Sequence, residues 1–276
     1  MFELPEVATL ARQVNETLAG KRVKEATLGT VAHKFIWYNR TPAEFAALAR
    51  GKTIGRAYAR GKWLFIPLEP GFMLLFGEFG GRFLYHAPGA APPARRHLLL
   101  TFDDGSSLSE TTQMWGAMEL HRSGEERDRK YIRDMRPAPN EPEFTLEYFS
   151  ALIDDTLRLE RKSAKGLLTQ DQLIPGLGNA IAQDILFAAR LSPPHPIDDL
   201  DQGRRRKLHA AIKETVAEAT RLGGRDDEID LYGNPGGYAR MMDKDAVGRP
   251  CPSCGTKVVK LQYLGGACYY CPNCQG

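Results

Sequence analysis

Residues 176–193, GLGNAIAQDILFAARLSP, place a tight glycine turn directly before a helical pattern. Gly176 and Gly178 allow a close approach of the backbone, and Asn179 opens the following helix. Because the first N–H groups of a helix have no intrahelical partner, a helix start of this kind can bind phosphate. A plain helical hairpin has the same pattern, so the turn alone does not separate a structural role from a nucleic-acid contact.

The segments on either side of this turn also have helical patterns, which places the turn inside a helical lobe. LEYFSALIDDTL at 146–157 precedes the turn, and GRRRKLHAAIKETVAEATRL at 203–222 follows it. Lys162 and Lys165 lie one helix before the turn, where they could flank the same phosphate. A Gly- and Asp-rich stretch around 222–243 has the composition of a mobile loop.

All five cysteines lie in the last 26 residues of the chain. Cys251 and Cys254 form one CxxC knuckle, and Cys271 and Cys274 form a second one after a spacer of sixteen residues. Four thiolates at this spacing are typical of a structural Zn²⁺ site, because they can converge on the ion as a tetrahedron. Cys268 is expected to be a bystander or an exchange ligand.

The spacer between the knuckles, GTKVVKLQYLGGACYY, predicts a β-hairpin. Its Lys257 and Lys260 have no acidic neighbour within the spacer, so they could form a small basic surface. A solvated strand face is an equally good interpretation of these lysines. A module of this size cannot build a hydrophobic core, so the metal is expected to supply its folding free energy.

The first half of the chain changes from a helical pattern to a β pattern. In ELPEVATLARQVNETLAG, Leu4, Val7 and Leu10 recur at three- and four-residue steps, which predicts an amphipathic helix. From about residue 23 to residue 121, short β-prone runs such as KWLFIPL and FMLLFGEF alternate with Gly and Pro. Several short strands at this spacing predict a sandwich or a barrel.

The composition of the 276-residue chain is that of a globular protein, with 42% hydrophobic and 26% charged residues and a net charge of +3. No apolar run approaches the roughly 20 residues that span a bilayer. The N-terminus lacks a basic-then-apolar signal pattern. We therefore expect a cytoplasmic protein without a membrane partner. The mild positive charge permits a nucleic-acid partner without identifying one.

An ELPE helix, a β-rich region with RGKWL, the GLGN turn and a final CPNCQ knuckle follow one another along the chain. This arrangement resembles the Fpg/Nei family, the formamidopyrimidine-DNA glycosylase and endonuclease VIII group of base-excision repair enzymes. The resemblance covers the whole chain. It implies an α+β fold with an N-terminal β-sandwich lobe flanked by helices, a helix–two-turn–helix lobe and a four-cysteine zinc finger. The predicted boundaries are 1–130 for the sandwich lobe, 131–144 for a proline-rich linker, 145–246 for the helical lobe and 247–276 for the finger.

The resemblance implies a reaction and roles for individual residues. In the family, the amine of an N-terminal proline attacks C1′ of the damaged nucleoside, a Schiff base forms, and β,δ-elimination cuts the strand. Glu3 matches the catalytic glutamate that moves protons, and Glu6 matches the second N-terminal glutamate. Lys62 matches the lysine that reaches the lesion and the phosphate. Lys165 and Asn179 match the phosphate-gripping pair of the helix–turn–helix.

The chain departs from the family pattern at the nucleophile. Phe2 stands where the family has its proline. Because initiator methionine is normally removed only before small residues, we expect Met1 to remain. Its primary amine then becomes the candidate nucleophile, one residue further out, with Lys62 as the alternative.

Two further departures concern contacts with DNA. Gly266 occupies the position of the family's phosphate-binding arginine, so a bidentate clamp is lost. The family's intercalating methionine falls near Glu78. The Arg-Arg-Phe-Gly segment appears as residues 113–116, in which Trp115 can still act as a wedge and Gln113 can hydrogen-bond the orphaned base.

These observations lead to a DNA glycosylase with AP-lyase activity as the expected function. Its substrate would be double-stranded DNA with a damaged base or an abasic site, bound by a monomer at the nucleoid. The alternative is a non-catalytic binder of damaged or distorted nucleic acid, which the loss of the proline and the arginine favours. A weaker alternative treats the GLGN turn and the finger as modules for structured RNA.

Overall fold

The computed structural model describes residues 1–29 and 35–276. The chain forms two compact units. The first unit consists of Met1–Met135 and Leu222–Gly237, and the second of Arg136–Arg221 and Tyr238–Gly276. The sequence analysis placed residues 222–237 in the helical lobe. The structure assigns them to the first unit, because Leu231 is fully buried in its hydrophobic core.

The first unit contains the β-rich part of the chain. Its helices are α1 (Leu4–Thr17), α2 (Pro42–Ala49) and α3 (Lys130–Arg133). Its strands are β1 (Val23–Leu28), β2 (Ile36–Tyr38), β3 (Thr53–Ile54), β4 (Tyr58–Arg60), β5 (Trp63–Glu69), β6 (Phe72–Gly77), β7 (Gly81–His86), β8 (Leu98–Phe102), β9 (Ser107–Thr112) and β10 (Gly116–Arg122). One sheet has the order β1-β8-β9-β7, and the other has the order β2-β10-β6-β5-β3 with β4 paired to β5.

The two sheets share one hydrophobic core, which confirms the predicted β-sandwich. In β8, Leu98, Leu100 and Phe102 are buried, and the residues between them are partly exposed. This alternation is expected for a strand with one face in the core. Leu64 and Ile66 of β5 enter the same core from the other sheet.

Helix α1 begins with a reciprocal capping box. The backbone N–H of Glu3 donates to Glu6 Oε2 at 2.8 Å, and the Glu3 side chain accepts from the backbone N–H of Glu6. Pro5 lies in the first turn, where its missing N–H costs nothing. Val7 and Val14 are fully buried, as the predicted amphipathic pattern required. The acidic N-terminus is therefore fixed to the core by its own helix.

The second unit contains α4 (Leu146–Leu159), α5 (Ala164–Thr169), α6 (Asn179–Ala189), α7 (Gln202–Arg221), β11 (Val259–Tyr263) and β12 (Gly266–Tyr270). Helix α6 contacts α5, α7 and β12, so it is central to this unit. Strands β11 and β12 pair antiparallel, which confirms the hairpin predicted between the cysteine knuckles. Among the residues that the structure describes, no helix is both long and apolar enough to span a bilayer.

The segment 131–144 differs from a simple linker. It includes most of α3, and Ile132, Ala138 and Phe144 are buried. Its proline content is typical of a linker, but these apolar side chains pack into the cores of the units on either side of the boundary at residue 135. Burial of apolar surface stabilises a defined conformation here.

Candidate active site and nucleic-acid interface

The side chain of Phe2 is a core residue of the first unit. It is 1% exposed, and its ring meets Phe79 edge to face with the ring centroids 5.2 Å apart. The backbone N–H of Phe2 donates to the carbonyl oxygen of Phe79 at 3.0 Å. Because the second residue is anchored in this way, Met1 has a defined position.

Met1 packs directly against the backbone of Gly80. A Cβ atom at position 80 would lie 2.4 Å from the Cα atom of Met1, so this approach requires glycine. The amine of Met1 forms an ion pair with Glu228, whose Oε1 atom lies 3.0 Å away. The Met1 amine is therefore held beside a carboxylate, and Met1 itself is partly exposed.

Arg225 is buried among the acidic residues of the N-terminus. Its Nε and Nη2 atoms donate to the two carboxylate oxygens of Glu6 at 3.1 and 3.0 Å. Nη2 also donates to the carbonyl oxygen of Met1 at 2.9 Å, and it lies 3.4 Å from Glu228 Oε1. Nη1 lies 4.0 Å from Glu3 Oε1. Burial disfavours the charged guanidinium, but the nearby carboxylates outweigh burial and raise the pKa of Arg225.

Arg225 and Glu228 are members of this cluster that the sequence analysis missed. A separation of 219 residues lies between Arg225 and Glu6, so no local pattern connects them. Gly224 gives one signal: a Cβ atom there would lie 2.9 Å from the Glu6 Cγ atom, and its φ is +96°. Glycine is thus required where this segment passes the N-terminal helix. From the sequence alone, however, a pair of glycines in a loop does not predict which residue the loop contacts.

Lys62 lies in the turn between β4 and β5. It is 8% exposed, and its backbone carbonyl accepts from the N–H of Glu78 at 3.3 Å. Among residues 1–29 and 35–276, its ammonium group makes no hydrogen bond or ion pair. A nearly buried lysine without a counter-charge is costly, so its ammonium is suited to an anionic ligand.

Of the three positions predicted to act as the wedge, Glu78 and Gln113 lie close to Gly80, the glycine that contacts Met1. Glu78 is partly buried and has a φ of 49°. The backbone N–H of Gln113 donates to the carbonyl oxygen of Gly80 at 2.7 Å, so Gln113 lies beside the glycine that touches Met1. The side chain of Gln113 is exposed, and Trp115 is 55% exposed. Gln113 and Trp115 are therefore available for contact with a ligand.

In the second unit, Lys165 and Asn179 both bind the tip of the β11–β12 hairpin. Lys165 Nζ donates to the carbonyl oxygen of Tyr263 at 2.6 Å, and Asn179 Nδ2 donates to that of Ala267 at 3.1 Å. A Cβ atom at Gly266 would lie 3.5 Å from Lys165 Nζ and from Asn179 Oδ1. The structure therefore brings together the predicted phosphate-gripping pair and the position of the missing arginine.

Lys257 does not belong to this group. It is exposed, and its backbone pairs with that of Pro250 at the base of the finger. The full length of β11 separates it from the hairpin tip. Contact between Lys257 and the same phosphate as Lys165 is therefore not expected.

Four cysteines converge at the end of the chain: Cys251, Cys254, Cys271 and Cys274. Their Sγ atoms all lie within 4.8 Å of one another, with 3.5 Å between those of Cys254 and Cys271 and 3.9 Å between those of Cys251 and Cys274. A tetrahedron with Zn–S bonds of about 2.3 Å has edges of about 3.8 Å. The cluster therefore fits one metal ion of this kind.

Cys268 is separate from that cluster. It lies on β12 and is 1% exposed, and its strand partner is Leu261. The side chain of Gln275, which is also buried, accepts from the N–H of Cys271 and donates to the carbonyl oxygen of Leu191 just after α6. The second knuckle is thereby fastened to the helical part of this unit.

Comparison with known proteins identifies the family. Residues 1–114 match the model of the formamidopyrimidine-DNA glycosylase N-terminal domain, and residues 135–229 match that of the formamidopyrimidine-DNA glycosylase H2TH domain. Formamidopyrimidine-DNA glycosylase of Lactobacillus delbrueckii subsp. bulgaricus is 30% identical over an alignment that covers 100% of this chain and 99% of the relative. The chain belongs to the formamidopyrimidine-DNA glycosylase family.

Solved structures of formamidopyrimidine-DNA glycosylases have the same fold. The MutM (Fpg) protein of Thermus thermophilus has a TM-score of 0.83 at 28% identity, with 99% of this chain and 98% of that chain covered. Lactococcus lactis Fpg in complex with abasic-site DNA has a TM-score of 0.85 at 25% identity, with 99% of each chain covered. The family resemblance and the fold class inferred from the motifs are thereby confirmed.

Proposed function

We propose that this protein is a DNA glycosylase with AP-lyase activity, and that it acts on double-stranded DNA with a damaged base or an abasic site. Membership of the formamidopyrimidine-DNA glycosylase family supports this function. The observation that carries the proposal is the position of the Met1 amine. Phe2 anchors this amine in a fixed place beside Glu228, and Arg225 binds both the Met1 carbonyl oxygen and Glu6, although the family's proline is absent.

The proposed catalytic residues are Met1, Glu3, Glu6 and Lys62. Met1 supplies the amine that attacks C1′ and forms the Schiff base. Glu3 moves protons on the opening sugar, and Glu6 holds Arg225 and the start of α1 in place. Lys62 binds the phosphate at the lesion, and it is the alternative nucleophile.

The proposed DNA contacts come from both units. Lys165 and Asn179 grip a backbone phosphate at the start of α6. Trp115 stacks in the gap left by the flipped nucleotide, and Gln113 bonds the orphaned base. Lys257 makes a separate backbone contact.

A structural zinc ion at the four cysteines completes the proposal. The metal would hold the hairpin that Lys165 and Asn179 bind, so it would supply folding free energy and take no part in the reaction. We further propose a monomer with the domain boundaries predicted from the sequence, except that residues 222–237 belong to the N-terminal lobe. A protein with this activity would work at the nucleoid.

Borohydride trapping on a duplex with one abasic site tests this function. The reagent reduces a Schiff base to a stable amine, and mass spectrometry of the digested crosslink identifies the residue. We expect the crosslink at Met1, and we expect it to persist in Lys62→Met. Lys24→Met, which removes an exposed lysine on β1, is the matched control.

The other outcomes distinguish the alternatives. A crosslink at Lys62 would keep the lyase activity and change the nucleophile. Retained binding of abasic DNA without any crosslink would contradict the lyase activity and identify a non-catalytic binder. Tighter binding of structured RNA than of abasic DNA would contradict DNA as the partner.

A further inference from the structure

We infer that Glu228 is the proton acceptor for the Met1 amine during Schiff-base formation, and that Arg225 is the positioning residue that holds Met1 and Glu228 next to each other. This inference rests on the proposed function, because it concerns the same amine. Neither residue belongs to the ELPE motif. Both lie on the segment 222–237, which the sequence alone does not connect with the N-terminus.

Glu228 has the geometry that a proton acceptor needs. Its Oε1 atom lies 3.0 Å from the Met1 nitrogen, within the range of about 2.6–3.2 Å for direct proton transfer. Its side chain is 16% exposed, so the carboxylate can pass a proton on to water. Glu228 is therefore close enough to receive the proton and open enough to release it.

Arg225 binds Glu6 more closely than it binds Glu228. The guanidinium engages both oxygens of Glu6 at 3.0 and 3.1 Å, whereas it pairs with Glu228 through Oε1 alone, at 3.4 Å. The pair with Glu6 fixes the guanidinium, and Glu228 Oε1 also accepts from the Met1 amine at 3.0 Å. The contact of Arg225 with the carbonyl oxygen of Met1 at 2.9 Å holds the residue that bears the amine.

The segment that carries Glu228 is fastened to α1. Gln13 donates to Asp230 Oδ2 at 2.8 Å and accepts from the N–H of Leu231 at 3.0 Å. The carbonyl oxygen of Glu228 accepts from the N–H of Gly236 at 3.1 Å. Because Gln13 lies on the helix that follows Met1 and binds the residues just after Glu228, the amine and the carboxylate are parts of one rigid arrangement.

Several other charged groups lie on the elements around Met1. They are Glu3 and Glu6 at the start of α1, Arg225, Asp226, Asp227 and Asp230 on the segment 222–237, Glu78 and Arg82 on either side of Gly80, and Lys62 in the β4–β5 turn. Within this acidic neighbourhood, the Met1 nitrogen donates to Glu228 Oε1 at 3.0 Å. This direct contact makes Glu228 the candidate acceptor.

The reaction at an abasic site needs such an acceptor. The Met1 nitrogen carries three protons in the ion pair and one in the protonated Schiff base, so two protons must leave it. The nitrogen forms a bond to C1′ of the aldehyde, and the C1′ oxygen gains two protons and departs as water. Glu228 takes the protons from the nitrogen side, and the proposed acid Glu3 supplies them on the oxygen side. No oxidant or reductant is consumed.

Single-turnover trapping on abasic duplex DNA tests the inference. Glu228→Gln keeps the size of the side chain and removes its capacity to take a proton. We expect it to lower the trapping rate by about 100-fold or more, the usual contribution of a positioned base, while the Kd for abasic duplex DNA stays within about twofold. Asp226→Asn, the same change at an exposed residue two positions away, should leave the rate unchanged.

Chemical rescue separates proton transfer from a structural role. Glu228→Ala opens space beside the amine. Added sodium formate should raise the trapping rate of this variant at least tenfold above its rate without formate. Formate should not affect Asp226→Ala. Thermal unfolding of each variant checks that the fold is retained.

The outcomes for the inference and for the proposed function are distinct. Two outcomes would overturn the inference and leave the function intact, provided that the wild type is trapped at Met1. One is an unchanged trapping rate in Glu228→Gln, and the other is a reduced rate in Glu228→Ala that formate does not restore. A wild-type crosslink at Lys62 would also overturn it and keep the lyase activity. Absence of any wild-type crosslink would overturn both.

Discussion

Single glycines decide where the side chains of the proposed site can lie. At Gly80, a Cβ atom would meet the Met1 Cα atom at 2.4 Å, a distance that no ordinary contact allows. At Gly266, a Cβ atom would meet its nearest neighbours at 3.5 Å, which is normal van der Waals contact. The first position therefore excludes a side chain, and the second accepts one.

Gly80→Ala should displace Met1 and slow Schiff-base trapping by at least tenfold, because the backbone of Met1 must move away from the new methyl group. The measurement is the rate of borohydride trapping on an abasic duplex. Gly203→Ala, at an exposed position in the first turn of α7, is the control and should trap at the wild-type rate. An unchanged rate in Gly80→Ala would show that the position of Met1 does not matter.

Gly266→Arg should strengthen DNA binding by supplying a guanidinium beside Lys165 and Asn179. One added phosphate contact should make the slope of log K against log salt more negative by about 0.9. Titrations of duplex DNA at several salt concentrations measure this slope. Gly266→Gln adds comparable bulk without charge, and it should keep the wild-type slope. Equal slopes for Arg and Gln would contradict a phosphate at this place.

At the scale of residues, the sequence predicted the side chains that belong to a recognisable motif, such as the two CxxC knuckles. The four cysteines converge as their spacing required. Arg225 and Glu228 could not be predicted in the same way. Their contacts depend on a chain segment that returns to α1 after more than two hundred residues, and nothing local encodes that return.

At the scale of elements, the β11–β12 hairpin depends on two supports. The cysteine cluster lies at its base, and its tip is held by hydrogen bonds from α5 and α6. Gln183 of α6 adds a third contact, because its amide donates to the carbonyl oxygen of Ala267 at 3.4 Å. The hydrogen bonds from the helices alone are too few to order so small a module.

Removal of the metal by a chelator should therefore unfold the hairpin and leave the helices folded. Amide hydrogen exchange should rise in residues 247–276 and stay low in α6. Duplex DNA affinity should fall at the same time, because Gly266 and its neighbours lose their position. Cys268→Ser is the control, since Cys268 lies outside the cluster, and it should retain one metal ion per chain. Unchanged exchange in the hairpin after metal removal would contradict a structural metal.

The elements that the sequence predicted well are those with a distinct local pattern. The amphipathic pattern located α1, and the β-prone runs KWLFIPL and FMLLFGEF located β5 and β6. Composition was a poorer guide at residues 131–144, where prolines indicated a linker. The burial of Ile132 and Phe144 could not be predicted, because isolated apolar residues form no periodic hydrophobic pattern.

At the scale of the whole molecule, one buried carboxyl group makes the stability of the first unit depend on pH. Burial raises the pKa of Glu110 to about 8, against opposing hydrogen bonds from Thr112. His97 does not supply a positive charge, because its Nδ1 atom accepts from the N–H of Thr112 at 2.9 Å. The folded state therefore favours the protonated form of Glu110.

Stability should fall as pH rises between about 4.5 and about 8, because the folded chain keeps a proton that the unfolded chain releases. The expected loss is on the order of 1 kcal/mol per pH unit. Urea unfolding at a series of pH values measures it. Glu110→Gln should flatten this dependence, whereas Glu25→Gln, on exposed Glu25 of β1, should not. An identical slope in Glu110→Gln would assign the pH dependence to other groups.

The N-terminus has a practical consequence for preparing the protein. The Met1 nitrogen lies within 3.0 Å of Glu228, on a residue pressed against Gly80. An affinity tag fused ahead of Met1, or acetylation of its nitrogen, would turn this amine into an amide that is neither basic nor nucleophilic. With Met1 as the nucleophile, such a preparation would bind damaged DNA and fail to cut it, so the protein should carry its tag at the other end.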